Sequence, residues 1–179
     1  MAALPIKYAW LAQEGAPKIL VEALKLYGTQ EIPGPRHSPL IMGWLAELGF
    51  NWIKSDETPW CGTAMAICAK RAGKPTNPNM PSALWWLKFG TAVMPGREAL
   101  GDILVFGRAG GGHVGLYVGE DSTHFHVLGG NQSNQFSIAR ILKTRLAGAR
   151  RTAWTIAQPG NVRKIWLSPQ GTPTSHNEA

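Results

Sequence analysis

The sequence predicts an α+β domain, and three observations carry that prediction. Through the first half, apolar residues recur at helical spacing in runs that a glycine closes. From Ala99 onward they alternate with small or polar residues, which is the two-residue period of a strand. No internal repeat and no domain linker interrupts residues 1–167, so helices and sheet are expected to form one domain. Residues 168–179 are short-chained and polar and read as a disordered tail.

The helical half justifies itself run by run. Residues 17–27 put Ile19, Leu20, Ala23, Leu24 and Tyr27 on one face, and Gly28 stops them. Residues 28–37 hold two prolines and two glycines and read as a loop. Ser38-Pro39 then opens a second helix, with Leu40, Ile41, Trp44, Leu45 and Leu48 on its apolar face and Gly49 at its end. A polar loop, residues 54–57, leads to Thr58-Pro59-Trp60-Cys61, where Thr58 can cap and Pro59 suits the first helical position. That count sets Cys61 at the third position of a helix ended by Gly73. Residues 82–89, with Leu84, Trp85, Trp86 and Leu87, read as a short buried helix closed by Gly90.

The strand half follows. Residues 102–106, 113–119, 124–128, 137–141 and 146–154 are the expected strands, with glycines at 107 and 110–112 and a turn at 120–123. The predicted architecture is N-terminal helices packed on a central antiparallel sheet.

Composition narrows the function classes. A hydrophobic content of 44% with eight tryptophans suits a folded globule. No apolar run approaches the roughly 20 residues that cross a bilayer, so no transmembrane segment is expected. The first residues lack a charged stretch followed by an apolar core, so a protein made in the cytoplasm without a Sec signal is expected. A net charge of +7 suits a polyanionic partner. Dense Lys/Arg runs and aromatic-basic RNA motifs are missing, so nucleic acid is not expected to be that partner. The two cysteines, Cys61 and Cys68, would be roughly 10 Å apart along one helix, beyond disulfide reach. Neither they nor the scattered histidines have the spacing of a zinc site, so no metal and no cofactor are expected.

Chemistry centres on Cys61. A thiol in the first turn of a helix faces free N–H groups and the positive end of the dipole, which favour a thiolate. By itself Cys61 reads better as a buried structural thiol. A nucleophilic cysteine needs a base, and His113 opens a strand directly after three glycines. Of the other histidines, His37 is in a loop, His176 is in the tail, and His124 and His126 read as edge or partly exposed. A polar third residue would orient the imidazole. If the 120–123 turn sets Gly119 against His124, Gly130 falls opposite His113, and a one-residue slip puts Asn131 there. Asn131 is within side-chain reach in either register, with His126 as its rival.

Pro59-Trp60-Cys61, Gly101-Asp102-Ile103-Leu104-Val105-Phe106, Gly112-His113-Val114-Gly115 and Gly129-Gly130-Asn131-Gln132 together resemble the NlpC and CHAP-type Cys/His peptidoglycan hydrolases, nearest to those of bacteriophage lysis. The likeness spans about residues 31–151. It implies a papain-like fold, a Cys61 nucleophile, a His113 base and a polar third residue at Asn131. It further implies amidase or endopeptidase cleavage of an amide bond in bacterial peptidoglycan, by a monomer that a holin-like partner would help reach the wall. The chain departs from the family in two places. Gly129 and Gly130 stand where many CHAP domains carry an acid, and only Asp56 and Glu57 precede the cysteine, too few oxygen ligands for calcium. Those two acids read as solvated, or as facing substrate amines. The alternatives are a non-catalytic wall- or nucleic-acid-binding protein on the same scaffold, and a Cys/His metalloprotein.

Overall fold

A computed structural model describes residues 2–108, 110–154 and 157–170. Six antiparallel strands form one sheet: β1 (Thr91–Val93), β2 (Ile103–Arg108), β3 (Gly111–Glu120), β4 (His124–Gly129), β5 (Ser137–Leu142) and β6 (Leu146–Arg151). Their spatial order is β1-β6-β2-β3-β4-β5. Three α-helices precede the sheet: α1 (Lys18–Leu24), α2 (Pro39–Leu48) and α3 (Cys61–Arg71). The α+β prediction therefore holds. The sequence reading lacked the short edge strand β1 and a 3-10 helix at Ile6–Ala12, both too brief to show a period. The predicted helix over 82–89 is a 3-10 helix, Ala83–Lys88, with Trp86 fully buried. The tail lies outside the described residues from 171 onward.

The helix α3 is the centre of the core. Every residue from Cys61 to Ala69 is buried, with α1 and α2 against one side and β3 and β4 against the other. Small residues make that possible. A Cβ on Gly62 would lie 2.2 Å from the Pro81 carbonyl oxygen, so no other residue fits there. On the sheet side, a Cβ on Gly130 would lie 2.5 Å from the Trp60 ring and 2.6 Å from the Ala64 methyl.

Sequence and structure differ at three points that matter for the site. The helix begins at Cys61, with Trp60 as its N-cap and no side-chain cap, so Thr58 and Pro59 lie outside it. Cys61 is thus the first helical residue and not the third. Secondly, the β3–β4 hairpin pairs Glu120 with Phe125 and Gly119 with His126, then shifts by one residue before Tyr117–Val127 and Leu116–Leu128. The turn is tighter than expected because Asp121 Oδ1 accepts from the amides of Thr123 and His124, at 2.9 Å each. Counting on from Leu116–Leu128 gives the register that sets Asn131, not Gly130, opposite His113. Thirdly, β4 is an inner strand. His126 is fully buried there, its Nδ1 2.8 Å from the Tyr8 hydroxyl and its Nε2 3.1 Å from Asp121 Oδ2. That trio ties the N-terminal segment to the sheet, which corrects the expectation of an edge histidine and removes His126 as an orienter of His113.

Candidate active site

Three elements meet at the start of α3. The first residue of the helix is Cys61, only 3% exposed, with its sulfur in hydrogen-bonding reach of the Val114 amide on β3. His113 precedes Val114, and its ring stacks on Phe106 of β2, centroids 6.3 Å apart. The third element is the turn after β4. There Gln132 Oε1 is 3.1 Å from His113 Nε2.

The orientation of Gln132 decides the tautomer of His113. The Gln132 amide nitrogen donates to the carbonyls of Val127 (3.2 Å), Gly129 (3.2 Å) and Ser137 (2.6 Å). Only the N–H₂ end of an amide can donate, so Oε1 must be the end that faces the ring. An oxygen without a proton obliges Nε2 to carry the N–H. Nδ1 is then the bare, basic nitrogen.

The partner of the ring is thus Gln132 rather than the expected Asn131. Asn131 takes a left-handed backbone (φ 56°), as do Ser133 (φ 54°) and Asn134 (φ 60°). This bend lifts Asn131 out of the strand line and carries Gln132 to the ring. Asparagine tolerates such a conformation better than most residues. The signal lay in the run Gly-Gly-Asn-Gln-Ser-Asn, which reads as a turn and not as a continuing strand.

A strap formed by residues 28–31 braces both halves. Gly28 donates to the Phe136 carbonyl, Phe136 to that of Thr29, and Glu31 to that of Asn134, at 2.8–2.9 Å. The Glu31 carboxylate also accepts from the Trp60 indole at 3.0 Å. One short segment therefore touches the Gln132 turn and the residue before Cys61. The next stretch is pinned by Asp56, which is fully buried and accepts from the amides of Ile32 (3.0 Å) and Ser38 (2.8 Å), with the His37 ring at 3.0 Å. Asp56 is a loop staple, which corrects its reading as a solvated or substrate-facing acid. Glu57 is exposed and receives the Gly34 amide at 3.2 Å.

Electrostatics also depart from expectation. Burial pushes the Cys61 thiol up, against the opposing pull of the Val114 and Gly62 amides and of Arg108. Burial likewise pushes His113 down to about 4, despite the Gln132 hydrogen bond that supports its charged form. The pair therefore rests as neutral thiol and neutral imidazole. The low-pKa thiolate expected of a helix start is not reached, because at 3% exposure desolvation outweighs the amides and Arg108 together. Cys68 is fully buried and its thiol is raised further by the same cause; both cysteines are free.

Cys61 opens onto a cleft of about 210 Å³, walled by Pro59, Ala83 and Leu84 on one side and Arg108 and the glycines 110–112 on the other. A larger, mostly apolar cavity, about 540 Å³, lies by the N-terminal segment and α1 and is lined by no cysteine or histidine. Among the described residues no cluster of His, Cys, Asp and Glu could hold a metal ion, and no helix is long and apolar enough to cross a membrane. No protein-family model matches the chain, and no curated protein matches its sequence.

Proposed function

We propose that the chain is a papain-like cysteine hydrolase that cleaves an amide bond in the peptide of bacterial peptidoglycan. The observation that carries this reading is the Gln132–His113 hydrogen bond, which leaves Nδ1 unprotonated on the residue that precedes Val114, whose amide supports the Cys61 thiolate. In the reaction, His113 Nδ1 takes the Cys61 proton as the sulfur attacks the scissile carbonyl carbon. The imidazolium so formed keeps its Nε2–H on Gln132 Oε1. Charge develops on the carbonyl oxygen, and the Cys61 amide, at a helical position with no intrahelical acceptor, is the donor offered to it. His113 returns the proton to the leaving amine. Water, deprotonated by the same nitrogen, then displaces the acyl group from sulfur as an acid, and the imidazolium returns that proton to the Cys61 sulfur.

Neutral resting partners suit this sequence of steps. The ion pair is costly in the closed site and forms only as the new bond disperses the sulfur's charge. The cell-wall assignment rests on the four motifs and on the net charge of +7, which suits an anionic polymer. Reaching the wall from the cytoplasm would need a holin-like partner.

Cys61→Ala should abolish release of soluble fragments from purified wall while leaving the fold intact. Cys68→Ala should retain most activity, and iodoacetamide should label Cys61 first. Lysis by the Cys61→Ala protein would end the cysteine-hydrolase reading.

A further inference from the structure

Arg108 is the one charged residue among those that line the Cys61 cleft. It closes strand β2 opposite Gly111 and is exposed. Among the described residues its side chain makes no hydrogen bond and no ion pair. The wall facing it is apolar, with Leu84 still 44% exposed, and a Cβ on Gly110 or Gly111 would meet nothing within 4 Å. The cleft thus has one cation, one greasy side and open room along its glycine floor.

We propose that Arg108 is a specificity-determining residue, pairing with a carboxylate carried by the substrate beside the scissile amide. The substrate class is therefore a peptide with a free carboxyl group close to the bond cleaved. A guanidinium presents a planar fork that matches a carboxylate in two-point contact, which a lysine does not. Its field reaches both reacting groups, favouring the thiolate of Cys61 and opposing charge on His113. A bound carboxylate would neutralise that field, so recognition and proton transfer are joined: the anion in place makes the His113 imidazolium easier to form. Arg145, on the turn before β6, adds a second positive field at His113. The identity of the scissile bond rests on the hydrolase reading, but the anion preference of the cleft does not.

The test separates the two. Full-length protein is alkylated at Cys61 with iodoacetate and with iodoacetamide, and the adducts are mapped by mass spectrometry. The reagents differ by one carboxylate, and dividing their rates cancels any change in the thiol's own reactivity. Replacing Arg108 (Arg108→Gln) should lower the iodoacetate-to-iodoacetamide ratio by about threefold or more. Salt at about 1 M should bring the wild-type ratio down to that of the variant, because its screening length is only about 3 Å. In parallel, two wall-derived peptides that differ only in a free or amidated carboxyl beside the scissile amide should differ in kcat/KM for wild type, mainly through KM, and not for Arg108→Gln. An unchanged alkylation ratio, or a Cys61 inert to both reagents, overturns the role of Arg108. Hydrolysis that survives Cys61→Ala would remove the hydrolase reading while leaving the alkylation preference in place.

Discussion

Gln132 can offer its oxygen to His113 only while its nitrogen keeps three backbone carbonyls on the other side. Truncation frees the imidazole to rotate and to change tautomer. Gln132→Ala should therefore lower kcat/KM by roughly 10–100-fold, the value of a hydrogen bond that acts on a charged transition state. Asn131→Ala, by contrast, should stay within a few fold of wild type under the same conditions. Steady-state kinetics on one soluble peptide decides between them, and a crippled Asn131→Ala beside an active Gln132→Ala would reverse the assignment. The pH profile makes a second prediction at this scale. Imidazole in an unfolded chain takes its proton near 6.5, whereas burial holds His113 down to about 4. The acid limb of kcat/KM should then fall near pH 4 and not near 6.5. Stability follows the same shift: between those values the unfolded chain binds more protons, so this contribution grows with rising pH and is lost as pH falls. An acid limb near 6.5 would mean that His113 is solvated in the working enzyme.

The strap of residues 28–31 is the element on which the site's precision depends, since it joins the Gln132 turn to Trp60. Glu31→Ala removes the acceptor of a partly buried indole N–H and should cost about 1–3 kcal/mol in denaturant unfolding. Activity should fall further than stability alone explains, because the turn and the start of α3 are no longer held together. Equal activity per folded molecule would show that the strap is only structural. Such elements also mark what the sequence could express. Helices α2 and α3, the inner strands and the buried Trp86 were legible, because apolar period and terminal glycines are local signals. That Cys61 opens a helix and His113 lies near the start of a strand was legible as chain order. Three features were not. The hairpin register depends on a one-residue shift near Tyr117 that no residue type announces. The burial of His126 and Asp56 depends on partners 118 and 18–24 residues away. The raised Cys61 thiol depends on how completely α3 is covered, a property of packing and not of a motif.

For the whole molecule, the +7 charge and the cleft are separate instruments. On the proposed reading, binding to an anionic wall would spread over many exposed cations and should weaken as salt screens contacts beyond about 8–10 Å. Added salt should therefore depress activity on intact wall more than on a small uncharged peptide, and a parallel fall in both would mean that the charge serves something other than wall association. The helix-on-sheet arrangement gives the cleft its chemistry by bringing the first residue of α3 against β3 at the His113 end. Covalent catalysis is the claim on which all of this turns. Intact-protein mass spectrometry, after rapid acid quench of the enzyme with a purified wall peptide, tests it most directly. A transient adduct equal to the acyl half of the cleaved peptide is expected, mapping to Cys61 and missing from Cys61→Ala. Cleavage with no adduct at any time point, or an adduct on another residue, would contradict it.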